Sequence, residues 1–219
     1  MRYILFSLIS ILTIECFSQN NTEYKLEDGF TISLPENFTV TDTLGQRAII
    51  AHIENGQILI LKAPNKGKID VSIKNESELI EFYKEFQRGL LKPSKGNLLN
   101  DNFFEIGKLK ANKISYRVNT SEEPELRDAL IVVLNNNIYV IQFLQLESKY
   151  NDIKVVRDKF FSSIKPSQTF SIKNQLTISA ESSTDIEKTA YNLGRIFGYV
   201  LIIGIFIFIV IWILKKIRK

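Results

Sequence analysis

One cysteine and one histidine occur in 219 residues, and both scarcities limit what the chain can do. The cysteine, Cys16, sits in an amino-terminal apolar segment, so everything after it lacks a thiol and can form no disulfide. Stability must then come from a hydrophobic core, and the ~140 residues between Gly29 and Pro166 are enough for one. His52 has no second histidine or nearby cysteine to join it, which excludes the usual zinc sites and a Ser-His-Asp triad. A P-loop, a dinucleotide glycine pattern and a nucleophile elbow are all missing. Glu122, Glu123, Glu125 and Asp128 gather around Pro124 but lack the alternating ligands and glycine of an EF-hand, so they read as a solvated loop. No catalytic group, cofactor or metal is expected, and the chain reads as noncatalytic.

Strong charge of one sign is also lacking where it would matter. The isoelectric point near 9.0 and net charge of +4 suggest a nucleic-acid binder. Without Arg2 and Glu15 at the start and Arg195, Lys215, Lys216, Arg218 and Lys219 at the end, 28 basic and 24 acidic residues become 22 and 23. The remainder is neutral, with its charges interspersed, and offers no field to hold phosphates. Nucleic acid is not an expected partner.

What is present in excess is one apolar run. From Ile196 to Leu214 every residue is apolar, aromatic or glycine, and Lys215, Lys216, Arg218 and Lys219 follow at once. At ~1.5 Å per residue the run nearly covers the ~30 Å hydrocarbon core of a bilayer, and the basic stop predicts a cytoplasmic end. At the other end, Arg2 precedes an apolar stretch from Tyr3 to Ile14 whose helical length of ~18 Å is too short to span. Residues 1–18 read as a secretory signal cleaved after Ser18; acylation at Cys16 is the rival reading, opposed by Glu15. The expectation is a single-pass protein of the cytoplasmic or plasma membrane, with its amino-terminal domain outside and its carboxyl terminus inside.

Along the chain, residues 19–28 form a polar entry, 29–166 an exported domain, 167–189 a polar stalk, 190–214 the juxtamembrane and membrane helix, and 215–219 a basic tail. Within the helix Ala190, Gly194 and Gly198 recur every four residues, a small-residue stripe that permits close pairing of two copies. The topology-setting residues are Lys215, Lys216, Arg218 and Lys219.

In the domain, Phe30, Ile32 and Leu34 alternate with Thr31 and Ser33 as a half-buried strand. A short extended piece follows at Phe38 to Thr41. Arg47 to Glu54 and Gln57 to Ala63 flank Asn55-Gly56, a hairpin signal, and Ile69, Val71 and Ile73 predict a further strand. Asn75 and Glu78 form a capping-box-like start for an amphipathic helix over 76–91, with Leu79, Phe82, Tyr83, Phe86 and Leu90 on its apolar face. Strands are expected at Phe103 to Ile106, Lys113 to Val118, Asp128 to Leu134 and Ile138 to Leu146. The last two are apolar on both faces, as covered central strands are. A closing helix is expected over Lys149 to Ile164, and Thr169 to Ser179 leaves room for an edge strand. Together these predict an α+β domain with helices packed on an antiparallel sheet, plus one carboxyl-terminal transmembrane helix.

The opening Gly29-Phe30-Thr31-Ile32-Ser33-Leu34-Pro35-Glu36-Asn37-Phe38, the early helix, the meander and the closing Phe160-Phe161-Ser162-Ser163-Ile164 resemble the Mog1/PsbP-like fold family over residues 28–166. The resemblance implies a helix-flanked antiparallel sheet and a role in binding and assembling other macromolecules. It transfers no functional residue. The expected function is a membrane-anchored, noncatalytic binding or assembly domain with the lipid bilayer and an external protein as partners. The alternative is a small-ligand sensor or regulator that acts through pairing of its membrane helix in a homodimer.

Overall fold

The computed structural model describes residues 21–43, 46–64, 72–176 and 185–217, with the side chains of the last helix described as far as Ile202. The proposed signal peptide, Ile69, Val71, Arg218 and Lys219 lie outside the described residues, as do the side chains of Lys215 and Lys216.

In chain order the strands are β1 (Asn21–Glu27), β2 (Phe30–Pro35), β3 (Thr39–Thr43), β4 (Gln46–Ile53) and β5 (Gly56–Pro64), followed by helix α1 (Glu76–Ser94). Then come β6 (Asn97–Ile106), β7 (Leu109–Val118), β8 (Glu125–Leu134), β9 (Asn137–Leu146), α2 (Lys154–Ser162), β10 (Lys165–Pro166) and α3 (Ile186–Ile217). Seven strands form one sheet in the order β3-β4-β5-β9-β8-β7-β6, and β1-β2-β10 form a second. All pairings are antiparallel.

Period-two alternation decides which side chain enters which core. In β8, Ile131 and Val133 join α1 and α3, while Leu130, Val132 and Leu134 join the β1-β2 layer. In β9, Val140 and Leu144 take the first side and Tyr139, Ile141 and Phe143 the second. The large sheet is thus the middle of three layers, and its central strands are apolar on both faces because both are covered.

Several boundaries differ from the sequence expectation. Residues 21–27 of the polar entry are strand β1, whose exposed positions hide it from hydropathy while its backbone pairs with β2 along its length, interrupted only by a bulge at Leu26. The β4–β5 turn is Glu54-Asn55, since Ile53 pairs with Gly56, and only Asn55 there has positive φ. The turn with positive φ at both central residues is Asn135-Asn136, closed by Leu134 and Asn137. The closing helix is shorter than expected: Glu147–Lys149 is a 3-10 turn and α2 runs only over Lys154–Ser162, after the weak helix formers Asn151 and Asp152. No edge strand forms at 169–176, where Ser171 and Asn174 cap a 3-10 turn at Ile172–Asn174.

The stalk expectation changes most. Phe170 and Gln175 are buried, so the described part of the segment up to Leu176 belongs to the domain. Residues 177–184 lie outside the described residues, and by Ile186 the chain is already helical. Among the described residues no helix is long and apolar enough to cross a membrane. The backbone of α3 is nonetheless one continuous helix to Ile217.

Candidate functional site

Helix α1 starts where the sequence places it. Asn75 accepts a hydrogen bond from the Glu78 amide at 3.0 Å, and the Glu78 carboxylate accepts from Lys74 N at 2.8 Å and Asn75 Nδ2 at 3.1 Å. The helix runs through Gly89 and Pro93 and stops at Lys95, whose φ of 50° is left-handed and whose amide reaches back to Leu91 and Lys92. Leu79, Phe82, Tyr83, Phe86 and Leu90 are buried on its inner side.

Gly89 explains what α1 meets on the other side. A Cβ there would come within 2.0 Å of the Tyr191 carbonyl oxygen. Reciprocally, a Cβ on Gly194 would come within 2.0 Å of Phe86 O, and one on Gly198 within 2.6 Å of Leu90 O. Contacts this short mean that the two backbones touch, an arrangement only glycine allows. Ala190 is fully buried in the same seam, and Phe197 packs edge-on to Phe86 with ring centroids 5.1 Å apart. The small-residue stripe predicted to pair two copies is here filled by α1 of the same chain. Pairing between copies through it requires α3 to leave the domain first.

The seam is parallel: Gly194 meets Phe86, and one turn further on in both helices Gly198 meets Leu90 and Pro93. The last turn of α1 therefore sits beside Gly198, just before α3 runs on alone.

A polar lock fixes the chain between domain and α3. Gln175 is fully buried and accepts from Lys110 N at 2.7 Å. Its Nε2 donates to Lys110 O at 2.7 Å, Val133 O at 3.0 Å and Tyr83 Oη at 3.2 Å. The Tyr83 hydroxyl donates to Lys110 O and accepts from Val133 N. Burial holds that phenol well above the usual tyrosine range, so it stays neutral. These bonds satisfy backbone groups where β7 and β8 separate, and periodicity in the sequence gives no sign of them.

The opposite layer is joined by charge. Arg157 of α2 lies 3.5 Å from Asp128 of β8, and both side chains are almost fully buried. Asp128 also accepts from Ser115 Oγ and, at 3.3 Å, from Gln145 Nε2, while the Arg157 guanidinium stacks 3.9 Å from the Tyr150 ring centroid. The acidic cluster noted in the sequence is dispersed: Glu125 pairs with Arg127 at 2.6 Å and Glu123 accepts from Ser148 N at 2.8 Å. Among the described residues no group of acidic, histidine or cysteine side chains could hold a metal ion. His52 lies on β4, partly buried, and desolvation lowers its pKa below the ordinary range.

A cleft of about 620 Å³ between the β6-β7 edge and α2 is lined by Asn102, Phe104, Lys113, Asp158 and Phe161. Lys113 Nζ lies 4.8 Å from the Phe161 ring centroid. The cleft is open and of mixed polarity, unlike the closed apolar pocket that a small-ligand sensor calls for.

Comparison with protein-family models and with curated protein sequences returns no match. Among solved structures the chain is similar to cyanobacterial PsbP (CyanoP) of Synechocystis sp. PCC 6803, with 14% identity, a TM-score of 0.49, and coverage of 69% of this chain and 95% of that one. It is also similar to the Ran-binding protein Mog1p of Saccharomyces cerevisiae, at 14% identity, TM-score 0.40, and coverage of 69% and 98%. A third is LpqN of Mycobacterium tuberculosis, involved in cell envelope biogenesis, at 12% identity, TM-score 0.38, and coverage of 67% and 91%. These likenesses to Mog1/PsbP-like structures concern the order and packing of elements alone and assign this chain no partner and no chemistry.

Proposed function

We propose that the chain is a membrane-anchored, noncatalytic binding domain held outside the cytoplasmic membrane, where it engages a protein partner. The observation that carries this reading is the continuity of α3. Its first half is docked on α1, and the same helix continues through an apolar run that ends at Lys215 and Lys216. The binding role is supported by the near-neutral charge of the domain and by the engagement of Glu125 and Asp128 in ion pairs with Arg127 and Arg157.

The test uses the full chain carrying an epitope after Lys219. After alkaline carbonate washing, the chain should remain in the membrane pellet. Protease added to unbroken spheroplasts should digest the domain and spare the epitope. Release by carbonate, or loss of the epitope from unbroken spheroplasts, overturns the proposal.

A further inference from the structure

The docking of α3 takes up part of the apolar run meant for the bilayer. Phe197 and Leu201 are buried against the domain at 1% and 2% exposure. From Ile202 to Leu214 thirteen residues remain. These rise only ~20 Å, well short of the ~30 Å hydrocarbon core. For the run to span while docked, hydrocarbon must begin near Ile196 to Tyr199, level with Leu90 to Pro93 of α1. The end of the domain at that level must then lie among lipid headgroups.

The surface there suits that position. Leu98 and Leu99, at the start of β6, are 39% and 53% exposed, and a bulge in pairing between Leu98 and Asn100 falls at Leu99. Beside them a groove of about 650 Å³ is lined by Arg88, Leu91, Lys92, Lys95, Leu98 and Tyr191. Arg88 is held by both oxygens of Glu85, at 2.6 and 2.8 Å. Lys92 and Lys95 have no carboxylate partner among the described residues. Tyr191, Arg195, Tyr199 and Ile202 recur at three- and four-residue spacing, so one face of α3 continues the groove, with Tyr199 at 55% and Ile202 at 37% exposure. Exposed leucines, tyrosines and long cationic side chains gathered at one end of a domain are the mixture that settles at a membrane interface.

We propose that this end of the domain lies in the headgroup layer of the bilayer that α3 enters, with Leu98 and Leu99 inserted and the ammonium groups of Lys92 and Lys95 on anionic lipid phosphates. The inference rests on the membrane reading above and adds a fixed orientation to it: the domain is seated on the bilayer by its α1–α3 seam.

The experiment uses the full chain with Cys16→Ser and a single labelled cysteine, Leu99→Cys, in phosphatidylcholine vesicles with and without phosphatidylglycerol and with a headgroup-level quencher lipid. Lys108→Cys, in the turn beyond the opposite end of β6, is the reference. The Leu99→Cys label should be quenched several-fold more than the reference. Removing phosphatidylglycerol, or both charges by Lys92→Gln with Lys95→Asn, should cut that quenching by at least half. Asn keeps the left-handed position at 95 accessible, so the second variant should retain its fold. Equal quenching of the two labels in a chain that floats with the vesicles overturns the seating and leaves the anchor intact. Quenching indifferent to both charge changes overturns the phosphate contact. A chain that does not float with the vesicles overturns the anchor and the seating together.

Discussion

The helices on the two faces of the large sheet are held by opposite means, the second of them beside the β1-β2 layer that covers most of its face. On one, α1 and α3 meet backbone to backbone through Gly89, Gly194 and Gly198, with Phe86 and Phe197 filling the space beside them. On the other, α2 is held by a buried ion pair between Arg157 and Asp128 and by the apolar face carrying Ile153 and Phe160. A glycine seam has almost no tolerance for added volume but no charge to leave unpaired. A buried ion pair tolerates changes of shape better and removal of one partner very badly. Under the proposed membrane anchoring, the first mode suits a helix that holds the domain rigidly at the bilayer, while the second suits a helix that only covers a core.

The sharpest break in that contrast is Asp128→Ala. It takes from the Arg157 guanidinium its buried carboxylate, leaving only the half-exposed Asp158 at 3.8 Å, and the expected loss is about 3–4 kcal/mol. Hydrogen exchange should rise through residues 150–162 and stay protected through 186–202. The neutral pair Asp128→Asn with Arg157→Met should recover most of the loss. Protection that falls equally on both faces would show that they are not separate devices.

Gly194→Val is the converse, with an expected loss of about 3 kcal/mol from overpacking against the Phe86 carbonyl. Exchange should rise at 186–202 while α2 stays protected, and proteolysis should cut within 185–195. A smaller effect, about 2 kcal/mol, is expected for Gln175→Ala, which leaves buried groups at Lys110 and Val133 unpaired. Thermal unfolding of the full chain in nanodiscs measures it, and no change would mean that the lock is ornamental.

The smallest effect concerns pH at the start of the seam. A hydrogen bond with Glu81, and then the repulsion of that carboxylate, raise the pKa of Glu187. A raised native pKa means that protonation favours the native state. The stabilisation is present at acid pH and lost as pH rises through the raised value. Glu187→Gln should therefore strengthen α3 docking slightly at neutral pH and make no difference below the ordinary glutamate range. Melting curves at the two pH values check this.

The sequence made legible those elements whose side chains alternate or recur. Ile131, Val133, Ile138 and Val140 marked central strands, and Asn75 with Glu78 marked the start of α1. It hid β1, because Asn21–Glu27 is held by backbone pairing and presents mostly polar side chains. It hid the role of Gln175, a polar residue in a polar segment whose burial depends on where β7 and β8 part. Ala190, Gly194 and Gly198 were recognisable as a close-packing stripe, but a stripe does not say which helix it meets. Gly89, in the middle of an amphipathic helix, was the matching signal.

Membrane exposure along α3 tests the central claim most directly. In the full chain with Cys16→Ser, reconstituted in vesicles, single spin-labelled cysteines from 186 to 214 report access to oxygen, which concentrates in lipid, and to a water-soluble nickel complex. The account predicts a helical alternation of buried and accessible positions up to Ile202, followed by uniform oxygen access and nickel exclusion from 203 to 214. Nickel access along that second half would contradict it.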